Sequence, residues 1–284
     1  MLTERWKIQM LGGLVARLGE QTIDRFRTRK GGEMLAALAL NRNRALTREE
    51  LLALLWPEEE PETGRNRLRV ELAALRRQFQ APGQAEIPLF EAFRLTVRLH
   101  PDAFTTDVME FEQRLAQAAK ATERAEQIPL LTAAVDLYRG ELLPAYDAEW
   151  IVAERERFAT LHQEALRRLI RRLAHTRDFD QAIAYAQRAI QADAWNEEAH
   201  FDLIRLFVAV GQPSAAIRQY DTLEQTLREQ FAARPTAAAR EFIQQVRDRL
   251  GHEAGIRTGR ITGAPTPAVP TSAAPTLPTA LPAV

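Results

Sequence analysis

The chain has 284 residues, enough for two domains of ordinary size, and its 46% hydrophobic and 27% charged residues are typical of globular proteins. Its 38 basic and 38 acidic residues cancel, although residues 1–100 carry 17 Lys/Arg against 13 Asp/Glu, a weak excess in the direction of nucleic-acid binding. The absence of cysteine excludes disulfides, thiolate metal sites and a cysteine nucleophile.

Short strands are predicted first along the chain. The segments "WKIQML" and "LVARL" partly alternate apolar and polar residues on either side of Gly12-Gly13, and "QTIDRF" follows them. This pattern predicts a small hairpin with a third short strand.

The sequence has no targeting or membrane-spanning pattern. The N-terminus carries charges within its apolar run, and no apolar run reaches the ~18 residues of a membrane span. We therefore predict a cytoplasmic protein without membrane contact.

Three helices and a second hairpin are predicted next. The first helix begins near Lys30, the second is capped by Thr47 with Glu50 and ends at Trp56-Pro57, and the third is "GRNRLRVELAALRRQF", residues 64–79. The segments "EIPLF" and "FRLTVRL" then predict strands around a two-residue connection, Glu91-Ala92. Strands, three helices and a hairpin in this order are typical of a winged helix, which we assign to residues 1–103.

The rest of the chain is predicted to be helical, and part of it repeats. Ala182-Ile183 matches Ala216-Ile217 with a spacing of 34 residues. The preceding helix agrees in register, with Leu169, Ile170 and Leu173 matching Leu203, Ile204 and Phe207. A 34-residue helix–turn–helix period is that of tetratricopeptide repeats. The fold class is therefore mainly α with a small β component, an N-terminal winged helix followed by an all-α, tetratricopeptide-like domain at residues 104–252.

The end of the chain and two aromatic residues add three expectations. The last helix, "PTAAAREFIQQVRDRL", is expected to end at Gly251. Residues 253–284 are rich in Pro, Ala and Thr and are predicted to form a disordered tail or linker, with the disorder beginning at Gly255. Trp195 and Phe201 are expected to fill the core of the repeats, the alternative being that they line a peptide groove.

Residue patterns for catalysis are scarce. The five histidines are far apart and expected to be solvated or to lie on helix faces. The two serines lie at a helix start and in the tail, and neither GxxxxGK[ST] nor GxGxxG occurs. The acidic "WPEEEPE" is expected to be an exposed loop. We predict no metal, no cofactor and no enzymatic activity.

The third helix has the pattern of a recognition helix. At 100° per residue, Leu68, Leu72, Leu75 and Phe79 form one narrow stripe. The opposite side and its flanks carry small and cationic residues: Asn66, Val70, Ala73 and Arg77, with Arg65, Arg69 and Arg76 on one flank and Arg67 on the other. Small groups and arginines suit the major groove. The alternative is an amphipathic core helix with a solvated basic face.

Two segments resemble a known family. The first runs from "WKIQMLGGLVARLG" through residue 79 and is carried by Leu46, Thr47, Glu49, Glu50, Leu51, Trp56, Arg65, Asn66, Leu68, Val70, Leu75, Arg76 and Arg77. It resembles the DNA-binding domain of bacterial antibiotic-regulatory-protein (SARP-type) activators, a winged helix like that of response regulators. The segment "LYRGELLPAYDAEWIVAERERFATLHQEAL" resembles the start of the bacterial transcriptional activator domain. This second resemblance rests on Tyr138, Gly140, Leu142, Leu143, Trp150, Glu154 and Arg155.

The resemblance implies a transcriptional activator that binds double-stranded DNA and helps to recruit RNA polymerase, or another protein, through its helical repeats. A homodimer on direct-repeat sites is also implied. Departures from the family pattern are Ala73-Ala74, the Glu91-Ala92 connection and Glu71, whose charge is expected near the phosphates.

The predicted contacts divide by role. We expect Asn66, Arg69, Ala73 and Arg77 near base edges, and Arg65, Arg67 and Arg76 on phosphates. On the wing, Arg94 and Arg98 are expected to touch the DNA backbone or minor groove, and Arg42 and Arg44 to add phosphate contacts. The alternative function is an adaptor that does not bind DNA, such as the N-terminal part of a larger signalling protein.

Overall fold

A computed structural model describes residues 4–80 and 87–261. The strands in these ranges are β1 Trp6–Gln9, β2 Val15–Leu18, β3 Gln21–Ile23, β4 Leu46–Thr47, β5 Phe90–Ala92, β6 Thr96–Leu99 and β7 Phe104–Thr106. The helices are α1 Arg29–Leu40, α2 Arg48–Leu55, α3 Pro61–Phe79, α4 Asp107–Lys120, α5 Arg124–Leu137, α6 Glu149–His175, α7 Phe179–Ala192, α8 Glu197–Ala209, α9 Pro213–Phe231 and α10 Ala237–Ile261. This is the predicted fold class, mainly α with a small β component.

The strands form two sheets. The first has the order β3-β2-β1-β7, antiparallel except for β7, which runs parallel to β1 with Phe104 opposite Trp6. The second has the order β4-β6-β5. Neither β4 nor β7 was predicted, because strands of two and three residues are too short to show alternation and pair with residues far away in the chain.

The second hairpin, which forms the wing, exists but its turn was wrongly placed. Glu91 and Ala92 lie in β5, opposite Arg98 and Val97 of β6, rather than in the connection. The turn is formed by residues 93–95, and Phe93 N donates to Thr96 O at 2.8 Å. The register follows from burial, since Phe90, Val97 and Leu99 all point into the core.

Two of the three helices of the winged helix begin at side-chain caps, whereas α3 begins at Pro61 without one. Thr28 accepts a hydrogen bond from Gly31 N at the start of α1. At the start of α2, Glu50 N donates to Thr47 Oγ1 at 3.0 Å and Thr47 N donates to Glu50 Oε2 at 2.7 Å, the predicted capping box. These local bonds satisfy N–H groups that have no partner inside the helix.

The 34-residue repeat is present in the structure. Helices α6 and α8 end at His175 and Ala209, and α7 and α9 begin at Phe179 and Pro213, so both boundaries repeat after 34 residues. The matched residues Ala182 and Ala216 are fully buried, as the stacking of repeats requires.

Two expectations for the C-terminal half are corrected. Helix α10 passes through Gly251 and continues to Ile261, so it does not end at Gly251 and residues 253–261 are helical rather than part of a disordered tail. An isolated glycine costs a helix only about 1 kcal/mol relative to alanine and does not by itself end it. The remainder of the predicted tail lies outside the described residues. The domain limits stay predictions.

The two aromatic residues of the repeats differ from each other. Phe201 packs edge-on against Phe242, with ring centroids 5.6 Å apart, within a hydrophobic cluster, as expected. Trp195 is 53% exposed and stacks edge-on against Phe231, itself 56% exposed, so it does not fill the core. Trp195 lies between α7 and α8, where its neighbours cover it on only one side.

The segment 138–148, between α5 and α6, joins the two halves. Gly12 N donates to Glu141 O at 2.8 Å, and Leu143 N donates to Met10 O at 2.9 Å. The hydrophobic core is continuous across this joint, from the winged helix to Phe158 of α6. At Gly32 an added Cβ would collide with the hydroxyl of Tyr146, which explains the glycine at that point of α1.

Two histidines lie on buried helix faces, His162 in α6 and His200 in α8. His200 is bonded at both ring nitrogens, to Ala194 O and to the Gln219 amide. The His162 ring stacks on Tyr138, with centroids 4.1 Å apart and an angle of 10° between the planes. Burial of His162, reinforced by the positive charge of Arg188, lowers its pKa from 6.5 to about 4.

We expect the protein to lose stability as the pH falls from 6.5 to 4. In this window the unfolded chain protonates His162 whereas the folded chain does not, so the free energy of unfolding falls with decreasing pH, by at most about 3 kcal/mol from this residue. Urea unfolding at several pH values measures the slope. His162→Phe should flatten it, whereas His175→Phe, at an exposed position, should not. Equal slopes for both variants would contradict the prediction.

Candidate nucleic-acid interface

Helix α3 is held in the winged helix by its predicted apolar stripe. Leu68, Leu72, Leu75 and Phe79 are each at most 4% exposed. The ring of Phe79 packs against those of Trp6 and Phe90, with centroid-to-centroid distances of 4.6 and 5.5 Å. The stripe therefore anchors α3 between the helical core and the sheets.

The opposite face of α3 lies in solvent. Arg65, Asn66, Arg67, Arg69, Val70, Ala73 and Arg77 are exposed, and Arg76 is partly buried. Val70 is 49% exposed, which is unusual for an apolar residue and suits contact with a thymine methyl group. The predicted base-contacting residues therefore share one accessible surface, which we call the α3 face.

The cations of this face differ in how they are engaged. The Arg67 guanidinium is ion-paired with Glu59 of the acidic loop, and that of Arg69 donates to Asn66 Oδ1 at 3.2 Å. Within residues 4–80 and 87–252, Arg65, Arg69, Arg76 and Arg77 have no acidic partner within 4.0 Å. Their charges are available to an anionic ligand without the loss of an ion pair among these residues.

The wing carries a further cation at its tip. Arg94 is exposed there between Phe93 and Leu95, which are 54% and 65% exposed. Arg98 is instead ion-paired with Glu91 across the hairpin. Sequence reasoning missed Arg48, whose side chain donates to the carbonyls of Arg94 and Phe93 at 3.2 and 3.3 Å. Arg48 therefore holds the wing tip against the start of α2.

The two predicted phosphate contacts that follow α1 are engaged elsewhere. Arg42 donates to Glu112 of α4 at 3.2 Å, in an ion pair that crosses between the two halves of the chain. Arg44 donates to Glu50 at 2.7 Å, next to the capping box. Both arginines would have to leave or share a carboxylate in order to bind phosphate.

Glu71, the acidic residue of α3 expected near the phosphates, is engaged inside the winged helix. It is only 8% exposed, is ion-paired with Arg27, and accepts a hydrogen bond from the Thr28 hydroxyl at 2.9 Å. The carboxylate thus ties α3 to the start of α1. Its charge is balanced by Arg27, and its side chain lines the same hollow as Asn66, Arg67 and Val70.

We expect Glu71→Gln to lower the free energy of unfolding by about 1–3 kcal/mol, because the amide cannot replace both interactions of a buried carboxylate. DNA affinity should change less than about twofold, since Arg27 already balances the charge of this carboxylate. Urea unfolding and fluorescence anisotropy measure the two effects. Glu62→Gln, at an exposed position in the first turn of α3, is the control and should leave stability unchanged. A several-fold gain in DNA affinity for Glu71→Gln would contradict this prediction, because it would show that the carboxylate repels the DNA phosphates.

The described residues give little support for a metal site or a membrane-spanning segment. Among residues 4–80 and 87–261, no three His, Asp or Glu side chains are grouped so that they could bind a metal ion. In the same part of the chain, no helix combines the length and the apolar character that crossing a membrane requires.

Two protein families match this chain. Residues 26–92 match the family "Transcriptional regulatory protein, C terminal", and residues 106–247, half of the chain, match the "Bacterial transcriptional activator domain". No curated protein sequence matches significantly.

Solved structures share the fold. One of them is that of Mycobacterium tuberculosis EmbR in complex with a low-affinity phosphopeptide, with a TM-score of 0.69 and 21% sequence identity. The match covers 87% of this chain and 66% of EmbR, so this chain spans just under two thirds of the EmbR chain. The matched families are those of transcriptional regulators rather than enzymes. With a winged helix followed by a bacterial transcriptional activator domain that occupies half of its length, the chain belongs to the SARP-type transcriptional regulators.

Proposed function

We propose that the chain regulates transcription by placing α3 in the major groove of duplex DNA. The observation that supports this most directly is the α3 face, where four arginines without acidic partners in the described ranges surround Asn66, Val70 and Ala73. Arginine can bond bidentately to guanine and asparagine to adenine, and small residues let the helix approach the bases.

The proposed contacts divide as the sequence predicts, with one refinement. Asn66, Arg69, Ala73 and Arg77 read bases, and Arg65 and Arg76 bind phosphates. Arg94 binds the DNA backbone beside the minor groove from the wing tip. Arg67, Arg98, Arg42 and Arg44 contribute less, because each has an ion pair to weaken first.

The repeat domain is proposed to make protein contacts. The exposed pair Trp195 and Phe231 offers aromatic surface, which is enriched at protein interfaces. RNA polymerase or a second copy of the chain would be the partner. Few cations serve one DNA site, so affinity for a single site should be modest, and dimerisation on repeated sites would raise it through effective concentration. Because the target is chromosomal DNA, we place the protein in the cytoplasm.

Salt dependence tests this function. We expect the purified chain to enrich a repeated motif from random duplexes, and its affinity for that motif to fall with salt. Three phosphate contacts, Arg65, Arg76 and Arg94, correspond to a slope of about −3 in log K against log salt for each monomer. Arg65→Ala/Arg76→Ala should reduce the slope by about 2.

The opposite result would support the second function. A chain that shows no binding at 50 mM salt, although circular dichroism shows it folded, would act as a protein-interaction adaptor. The ion pair of Glu71 with Arg27 weakens one argument for that alternative, since the carboxylate is satisfied inside the winged helix.

A further inference from the structure

A cavity of about 350 Å³ lies in the repeat domain, away from the α3 face. It is formed by α6, the end of α7 and the start of α8, and it is lined on another side by Tyr138, Gly140 and Glu141. The apolar part of its lining comes from Ala159, Leu166, Ile170, Ala189, Ala192 and Ala199. We call this space the repeat-domain cavity. Its volume is near the lower end of the range for small-molecule sites.

The cavity wall carries polar atoms that have no partner. Among the described residues, His162 Nε2 and Arg167 Nε are buried and make no hydrogen bond. His162 is only 7% exposed as a whole residue. Buried polar groups are normally bonded, and leaving one unbonded costs about 1–3 kcal/mol. Both residues line the cavity, and both nitrogens are covered by neighbouring atoms, so a small rotation of either side chain would let a ligand supply the missing bond.

The electrostatics of the lining favour an uncharged ligand. Glu141 and Asp193 in the lining oppose an anion, and the burial that keeps the His162 ring uncharged also disfavours a buried cation. The Arg167 guanidinium is already ion-paired with Glu198. His162 is neutral at pH 7 because burial lowers its pKa, so that its ring offers one donor and one acceptor nitrogen. The parallel Tyr138–His162 stack adds a flat aromatic wall.

We propose that the repeat-domain cavity binds a small, uncharged aromatic molecule with one or two hydrogen-bonding groups, and that this molecule is an effector of the regulator. Its apolar ring packs among the alanine, leucine and isoleucine side chains, and its polar group bonds to the unpartnered atoms of His162 and Arg167.

The effector role follows from the position of the segment 138–141. Tyr138, Gly140 and Glu141 line the cavity, and the same segment contacts the winged helix. The Glu141 carbonyl accepts from Gly12 N at 2.8 Å, and a Cβ added at Gly140 would lie 3.2 Å from Gly12 Cα. A molecule that displaces this segment therefore acts directly on the turn between β1 and β2. This effect on DNA rests on the proposed function, whereas binding in the cavity does not.

The binding test uses indole and benzimidazole as uncharged probes and indole-2-carboxylate as the anionic comparator. We expect saturable binding of at least one neutral probe in ligand-observed NMR titrations, and at least tenfold weaker binding of the anion. Ala159→Phe should fill the cavity and weaken binding at least tenfold. Ala153→Phe, on the same helix but exposed and outside the lining, should bind like the unchanged chain. Thermal unfolding verifies that both variants fold.

Two results would overturn the site: no saturable binding of either neutral probe, or equal binding by the Ala159→Phe and Ala153→Phe variants. The effector role is tested by adding the bound probe to the DNA titration, where at least a threefold change in affinity is expected. If the chain binds DNA and the bound probe leaves that affinity unchanged, the effector role is wrong. If the chain binds no DNA, the proposed function fails while the binding result still decides the site.

Discussion

Replacing Arg69 and Arg77 together with alanine is expected to lower affinity for the selected DNA motif at least about 100-fold. Both side chains lie on the exposed α3 face, and a good bidentate contact to guanine contributes about 1–3 kcal/mol of discrimination. The loss should be largest for the selected motif and smaller for random duplexes, because the lost contacts are to bases. Fluorescence anisotropy with both duplexes at one salt concentration measures it.

A matched control separates sequence reading from general charge. Arg218→Ala/Arg240→Ala removes the same two charges from exposed positions in the repeat domain. This variant should keep affinity within about twofold. If both double variants lose affinity equally, α3 contributes only charge. If Arg69→Ala/Arg77→Ala binds as well as the unchanged chain, α3 is an ordinary amphipathic helix with a solvated basic face.

Replacement of Arg155 by alanine should cause the largest loss of stability. The Arg155 guanidinium donates to the carbonyls of Leu142, Leu143 and Tyr146, at 3.0, 2.9 and 2.6 Å. Leu143 has a φ of 47°, a left-handed conformation that leucine rarely adopts and that these bonds help to hold. We expect the free energy of unfolding to fall by roughly 3–5 kcal/mol, because three charge-assisted bonds are lost.

The variants Arg155→Lys and Arg157→Ala make this prediction specific. Lysine keeps the charge but not the planar fork that spans three carbonyls, so Arg155→Lys should recover less than half of the loss. Arg157 is on the same helix and pairs with Glu112 and Glu154 at the surface, so Arg157→Ala should cost less than about 1 kcal/mol. Urea unfolding measures all three variants. Equal losses for Arg155→Ala and Arg157→Ala would contradict a bracing role for Arg155.

Segment 138–148 also links the two predicted halves in function. Arg155 holds the segment from α6, and the segment holds the turn between β1 and β2. On the other side of that turn, the Asp107 carboxylate accepts from the N–H groups of Met10 and Leu11 at 2.8–3.0 Å. The winged helix is therefore braced by two parts of the helical domain, the start of α4 and the segment between α5 and α6. Arg155→Ala should alter DNA affinity as well as stability.

Local sequence was sufficient to predict the helices, the apolar stripe of α3 and the repeat. The capping box at Thr47 and Glu50 lies within three residues, and the stripe of α3 repeats every three or four residues. The 34-residue period is visible because both copies bury the same helix faces, as Ala182 and Ala216 do. Such features need only neighbouring residues or internal similarity, so one sequence is enough to reveal them.

Only the tertiary structure decided which side chains of the predicted interface are engaged and which are available. Glu71 pairs with Arg27, 44 residues away, and Arg42 pairs with Glu112, 70 residues away. Strand β7 and the burial of His162 depend on contacts of the same kind, with β1 and with Tyr138. A sequence pattern shows which face a residue occupies but not what faces it, because an ion pair, a hydrogen bond or a stacking contact requires a partner that the fold brings in from elsewhere.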